Sequence, residues 1–360
     1  MSGDHSHFMR IAMRLARRNV GQTWPNPSVG AVVVRDGRIV GEGVTAKGGR
    51  PHAETEALQA PAGQASLYVT LEPCSHHGKT PPCVDAIIKA GIARVVVACR
   101  DPDPRVNGKG IALLKQAGIE VIEGVCEQEA KEINRGFFSI VSKKRPFISL
   151  KIATSLDGKI TFPPPFKKGE WITGENARAH AHLLRSRYDA IATGIGTVIA
   201  DDPQLTCRLP GLEHASPVRI VFDRNLRLPL ESKLVQTAKD VPLWVITGKE
   251  KTSKALEKAG VNIFPVGTDD MLEAAVMLLA EQGITRLLIE GGAKLTTAFL
   301  QSGLVDRMYW FRAPILIGNG GLAAADGAFP PVITGMNRWR ILEHKNLQPD
   351  TLDILECSPA

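Results

Sequence analysis

Hydrophobic and polar positions recur along this chain in two rhythms, one of 3.6 residues and one of two, and the switches between them predict its elements. Phe8 to Arg18 carries apolar residues on one stripe and arginines on another, which predicts an amphipathic helix. AVVV, the pair Asp36-Gly37 and RIVGEG predict a β-hairpin, because Asp-Gly supplies the positive φ angles of a tight turn. A helix begins near His52, SLYVTL is a strand, and a second helix covers Cys83 to Lys89 before Gly91 stops it. RVVVAC, a helix from Gly110 to Ala117 and the strand EVIEG complete this series. Lys143-Lys144-Arg145-Pro146 then marks a boundary, dividing the chain into domains 1–145 and 146–360. The second series opens with FISLKIA and continues through DAIATG, VRIVFD, PLWVIT, NIFPV, RLLIEG and RMYWFRAPILIG, with helices over Ala177–Ser186 and Met271–Glu281. Such alternation predicts tandem α/β layer folds.

A length of 360 residues agrees with two domains, and 44% hydrophobic with 22% charged residues fits a soluble globular protein. No apolar run approaches the roughly 20 residues needed to span a bilayer. The N-terminus lacks the apolar stretch of a signal peptide, so a cytoplasmic setting is expected, without a membrane partner. Six cysteines in so long a chain suggest reduced thiols and metal binding more than a disulfide framework. The net charge of +7 favours anionic partners. The basic residues are scattered and aromatics make up only 5%, so a phosphorylated small molecule is favoured over nucleic acid.

Three segments carry metal chemistry: P-H-A-E from Pro51, L-E-P-C from Leu71 and P-P-C-V-D-A from Pro81. Zinc prefers nitrogen and thiolate ligands, and a catalytic zinc keeps one position open, so His52, Cys74 and Cys83 are the predicted ligands. His52 and Cys83 each follow a proline at a predicted helix start, where the positive helix end favours a thiolate. Glu54, two residues past His52, is placed to carry a proton between a zinc-bound water and a departing amine. H-x-E followed by P-C is the established signature of zinc deaminases. Eight residues separate Cys74 from Cys83, where the signature usually has two. A closed structural site of Cys74, His76, His77 and Cys83 is the alternative, and it leaves the spacing of His52 and Glu54 unexplained. Cys99, Cys126, Cys207 and Cys357 are isolated and read as small buried apolar residues.

In the second domain, RLLIEGGAKLTTAFL reads as a strand, a Gly-Gly turn and a helix, where bare glycines admit a phosphate to the helix N-terminus. G-I-G-T-V-I from Gly194 starts like a dinucleotide fingerprint but lacks its third glycine. Arg185 and Arg208 are candidates for a substrate phosphate, since a guanidinium fork matches its oxygens. Without further context, an ordinary turn is an equally open reading of the glycine segments, and solvated surface arginines are the stronger reading of Arg185 and Arg208.

With H-A-E, E-P-C-S-H-H-G-K-T-P-P-C and the upstream P-N-P-S-V-G-A-V in place, the chain resembles the bifunctional deaminase/reductases of riboflavin biosynthesis. The resemblance continues through D-P-D-P-R-V-N-G-K-G from Asp101, S-L-D-G-K-I from Ser155, W-I-T from Trp171, the D-D-P-x-L-T-x-R segment ending at Arg208, and E-G-G from Glu290. It implies a cytidine-deaminase-like three-layer N-terminal domain and a dihydrofolate-reductase-like C-terminal domain. The first would deaminate a diaminopyrimidinone ribosyl phosphate with one Zn2+. The second would reduce the ribosyl group to ribityl with NADPH. By the same resemblance Asn26, His76, Lys79 and Asn107 would hold the pyrimidine. Thr154, Trp171, Thr197, Asp201 and the run Gly291, Gly292, Ala293, Lys294, Leu295 and Thr296 would hold NADPH. Lys151, Gly169, Arg185, Leu205, Arg208 and Glu290 would hold the second substrate. A homodimer or larger homo-oligomer is also implied. The competing class is a nucleic-acid-modifying zinc deaminase with a non-catalytic C-terminal domain, and the long inter-cysteine loop and E-G-G argue against it. One departure stands out: T-F-P-P-P-F-K-K-G-E-W replaces a small segment ending in G-E-S-x-W, and Lys167 and Lys168 would have to substitute for the lost serine.

Overall fold

Where the chain alternates between the two rhythms, a computed structural model shows strands threaded between helices; it describes residues 5–76, 81–163, 170–248, 251–267, 271–327 and 339–357. Two compact units emerge, Met1–Arg145 and Pro146–Ala360.

In the first unit the order is α1 (His5–Arg18), β1 (Gly30–Arg35), β2 (Arg38–Val44), α2 (Ala53–Ala57), β3 (Ser66–Val69), α3 (Cys83–Lys89), β4 (Arg94–Val97), α4 (Lys109–Gln116), β5 (Glu120–Glu123), α5 (Glu127–Ile133) and α6 (Arg135–Lys143). The five-stranded sheet runs β2-β1-β3-β4-β5. β1 pairs antiparallel with β2 and β3, while β3, β4 and β5 are mutually parallel. Asp36 and Gly37 both adopt positive φ at the hairpin turn. β1, β3 and β4 are almost wholly buried, so both faces of the sheet need cover. Helix α1 packs with α5, and α2, α3 and α4 form a second contiguous row, which gives three layers. α1 buries Met9, Ala12, Met13 and Ala16, the stripe its period predicts.

The second unit contains β6 (Phe147–Thr154), α7 (Glu175–Arg185), β7 (Ala190–Gly194), α8 (Ile195–Asp201), β8 (Val218–Phe222), α9 (Lys233–Gln236), β9 (Leu243–Thr247), α10 (Lys254–Lys258), β10 (Val261–Pro265), α11 (Met271–Glu281), β11 (Arg286–Ile289), α12 (Ala293–Gln301), β12 (Arg307–Arg312), β13 (Trp339–Leu347) and β14 (Asp350–Cys357). Its nine-stranded sheet runs β10-β9-β8-β7-β11-β6-β12-β14-β13. The first seven are parallel, and β14 and β13 close the edge antiparallel. The strand expected over RMYWFRAPILIG ends at Arg312, because Pro314 has no N–H to extend a ladder. The terminal hairpin, α5 and α8 were not foreseen. β13 is exposed along nearly its whole length, so it lacks the buried alternation that marks a strand in sequence.

Ile191, Val221, Val245 and Leu288 belong to one core cluster with helix α7. Side chains alternate along a strand, so Thr193, Asp223, Thr247 and Glu290, two residues further on, share that face at the carboxyl ends of β7, β8, β9 and β11. In open parallel sheets this end is where ligands bind.

Candidate active sites

Three local devices assemble the first site. Gly43 in β2 lies so close to α2 that a Cβ there would sit 2.0 Å from the Ala53 carbonyl oxygen. The absent side chain lets α2 rest on the hairpin, with His52 as its N-cap and Glu54 in its first turn. Cys83 opens α3, and its backbone N–H donates to Cys74 Sγ at 3.3 Å. His52 Nδ1 lies 3.3 Å from Cys83 Sγ and 3.7 Å from Cys74 Sγ. All three donor atoms fall within 4.8 Å of one another. Bonds of about 2.3 Å to sulfur and 2.0 Å to nitrogen in tetrahedral array require donor separations of about 3.5–3.8 Å, so the set fits zinc.

The hydrogen bond from Cys83 holds the Cys74 thiol down to about 4, whereas that same bond and burial push Cys83 up. Metal binding requires both sulfurs as thiolates, so a divalent cation here would displace the proton that Cys83 keeps. The hydrogen bond to Cys74 raises His52. Glu54 is 4% exposed, and burial pushes its carboxyl up to about 7. A carboxyl with that value gives and takes protons near neutrality.

Of the residues expected around the pyrimidine, Asn26 donates through Nδ2 to the Gly49 carbonyl at 3.4 Å, on the loop leading to His52. His76 and Asn107 are exposed. Lys79 lies outside the described residues, as do Gly169, Lys167 and Lys168. Sequence reasoning gave Glu72 no role, although it stands inside L-E-P-C; it is 3% exposed and accepts three backbone hydrogen bonds.

In the second unit Glu290 is the hub. Arg185 donates to it in bidentate fashion, Nε to Oε1 at 2.9 Å and Nη2 to Oε2 at 2.8 Å, and Lys151 Nζ stands 3.8 Å away. Burial alone would raise Glu290, but Arg185 and Lys151 hold it down to about 2. Burial lowers Lys151 against the attraction of Glu290. Arg185 Nη1 donates to the Thr206 carbonyl, so its fork is engaged within the protein, whereas Arg208 is exposed and makes one 3.4 Å contact to Thr206 Oγ1. Of the two arginines, Arg208 is the freer for a phosphate. His182, which sequence reasoning passed over, has Nδ1 3.1 Å from the Thr206 carbonyl and 3.2 Å from the Arg208 N–H. Burial, with Arg185 and Arg208 nearby, lowers it to about 4. Leu205 has φ +55° with its side chain in the core, so only its backbone is available to a ligand.

Thr197 Oγ1 accepts from Gly292 N–H at 3.1 Å, tying the start of α8 to the N-cap of α12. A Cβ on Gly291 would come 3.0 Å from Leu295 Cδ2. Ala293 and Thr296 are buried in α12, Leu295 is half-buried and Lys294 is exposed. Thr154 is fully buried and its hydroxyl accepts from Trp310 Nε1 at 2.9 Å. Trp171 is 66% exposed beneath Arg178, and Asp201 is exposed.

Comparison with known proteins accounts for both units. A family model described as the cytidine and deoxycytidylate deaminase zinc-binding region matches residues 2–99, and one described as the RibD C-terminal domain matches residues 146–352. The riboflavin biosynthesis protein RibD of Aquifex aeolicus is 46% identical, over 87% of this chain and 88% of its own length. That of Escherichia coli K12 is 40% identical over 96% and 97%. Among solved structures, Acinetobacter baumannii RibD (form 2) is 39% identical with a TM-score of 0.88, covering 99% of both chains. A Thermotoga maritima diaminohydroxyphosphoribosylaminopyrimidine deaminase/5-amino-6-(5-phosphoribosylamino)uracil reductase is 36% identical at 0.89, also over 99% of both. The chain belongs to the RibD family, the zinc-dependent deaminase and NADPH-dependent reductase of riboflavin biosynthesis.

Proposed function

We propose that domain 1–145 deaminates a diaminopyrimidinone ribosyl phosphate and that domain 146–360 then reduces the ribosyl group of the product. His52 Nδ1, Cys74 and Cys83 hold the zinc, which when bound supplies an acidified water and a Lewis acid. Glu54 takes a proton from the attacking water and returns it to the amine; one C–O bond forms, one C–N bond breaks, and ammonia leaves. Burial of Glu54, which outweighs the opposing charge of His52, suits it to both halves of that transfer. Asn26, His76, Lys79 and Asn107 hold the pyrimidine beside it.

In the second domain, Gly291 and Gly292 open the N-terminus of α12 to a cofactor phosphate, with Ala293, Lys294, Leu295 and Thr296 forming its first turn. Thr154, Trp171, Thr197 and Asp201 complete the NADPH contacts. Lys151, Glu290, Leu205, Gly169, Arg185 and Arg208 position the ribosyl phosphate, Arg208 taking the phosphate itself. Hydride transfer is the cofactor's chemistry, and the protein aligns the reacting carbons. The enzyme acts in the cytoplasm as a homodimer or larger assembly, which sedimentation of the purified chain would read.

The observation that carries this reading is the set of three donor atoms within 4.8 Å beside a buried carboxyl. Its test supplies the diaminopyrimidinone ribosyl phosphate and NADPH while ammonia and NADPH absorbance are followed together. Ammonia release should precede NADPH loss and continue without NADPH. NADPH loss that leads ammonia would overturn the order of the steps.

A further inference from the structure

Glu72 precedes Pro73-Cys74 and is buried, yet the partners of its carboxylate are backbone amides. Oε2 accepts from Asp101 N–H at 3.2 Å and Gly108 N–H at 2.9 Å, and Oε1 accepts from Ile111 N–H at 3.3 Å. Gly108 is the N-cap of α4 and Ile111 its third residue, and α4 has no side-chain cap of its own. The carboxylate therefore does, from a neighbouring strand end, what an aspartate at the N-cap would do. Its charge also meets the positive end of the helix, which is how a buried anion is tolerated here.

Backbone contact reinforces this strap. A Cβ on Gly110 would lie 2.2 Å from the Pro73 carbonyl oxygen, so the first turn of α4 touches the segment leading to Cys74 directly. Glu72 N–H donates to the Cys99 carbonyl at 3.0 Å. Within the loop, Asp103 N–H donates to Asp101 Oδ1 at 2.8 Å and Asn107 N–H to the Asp103 carbonyl at 2.9 Å. Segment 101–111 and the segment bearing Cys74 thus form one body, in which the Glu72 carboxylate supplies three of the connecting hydrogen bonds.

We propose that Glu72 is a positioning residue for deamination, fixing Asn107 relative to Cys74 through the amides of Asp101, Gly108 and Ile111. This rests on the reading of Asn107 as a pyrimidine contact. The hydrogen bonds that the Glu72 carboxylate accepts come from the amides of Asp101, Gly108 and Ile111 and not from His52, Cys74 or Cys83, so its loss should weaken substrate binding and spare the chemical step. Displacing Asn107 and deleting its side chain should then cost the same interaction once, not twice.

The test is a double-mutant cycle in the zinc-loaded, full-length enzyme with Glu72→Gln, Asn107→Ala and both together. Glutamine keeps the shape but turns an NH2 toward one of the three donors. Each single variant should raise the deamination KM about tenfold with kcat within about threefold, and the double should be no worse than the poorer single. Zinc should stay at one per chain, and NADPH-dependent reduction of deaminated substrate should be unchanged. An unchanged KM in Glu72→Gln beside a raised KM in Asn107→Ala overturns the positioning role, as do multiplying effects in the double. Loss of zinc in Glu72→Gln overturns it too, by making the residue a support of the metal ligands. An unchanged KM in Asn107→Ala overturns the underlying reading of Asn107 instead, and the proposal with it. Should Glu72→Gln fail to fold, Glu72→Asp, which keeps the charge one methylene short, should raise KM by a smaller factor; an unchanged KM there counts against the proposal.

Discussion

The two sites handle a buried carboxyl in opposite ways. Glu54 is buried beside thiols, and desolvation brings it to about 7, so its charge is conditional. Glu290 is also buried, but Arg185 grips both its oxygens and Lys151 stands nearby, so it remains an anion down to about 2. Burial that outweighs the opposing charge of His52 leaves a carboxyl able to change protonation; burial between Arg185 and Lys151 makes a fixed strut. The contrast agrees with the two chemistries, since hydrolysis moves protons and hydride transfer needs geometry.

The sharpest break of this comparison is to remove a ligand from the first site. Cys74→Ala should abolish both zinc content and ammonia release while reduction of deaminated substrate persists, measured by metal analysis and NADPH absorbance. A smaller effect follows from breaking the strut. Glu290→Gln leaves Arg185 and Lys151 without their counter-charge and should cost the reductase unit about 3–5 kcal/mol in denaturant unfolding. Converting Arg185 to methionine in that background should recover part of the loss. The pH sign follows from the depressed value: the contribution of Glu290 is complete above the ordinary carboxylate range near 4.5 and is lost as pH falls toward about 2. The acid limb of the stability curve should therefore flatten in Glu290→Gln. Smaller again, Thr197→Val removes the acceptor for the Gly292 N–H and should raise the NADPH dissociation constant about tenfold by titration. Smallest is the titration of His182 by NMR. Held neutral by burial and two arginines, it should protonate near 4, so its contribution to stability fades as pH drops from the usual 6.5 through that value.

Legibility from the sequence differed between the sites for a physical reason. The proposed zinc ligands sit on short segments at helix starts and after a strand, so H-A-E, E-P-C and P-P-C named a donor set that the structure brings within 4.8 Å. The reductase cluster joins Lys151 on β6, Arg185 on α7 and Glu290 after β11, which only the order of the parallel sheet makes neighbours. No local spacing records that order, and resemblance to a family was needed. Glu72 and His182 were missed because each binds backbone, and a backbone acceptor or donor leaves no trace in residue type. β13 was missed because its exposed pattern reads as loop, and the extension of β12 past Arg312 was overdrawn because Pro314 was read as part of an apolar run.

The most direct measurement of the contrast between a conditional Glu54 and a fixed Glu290 is the Glu54→Gln enzyme, assayed for zinc, ammonia and NADPH oxidation in one preparation. Zinc should remain at one per chain, ammonia release should fall by about a thousandfold, and reduction of deaminated substrate should proceed at the normal rate. Loss of zinc, or ammonia release close to the parent enzyme's, would contradict the account.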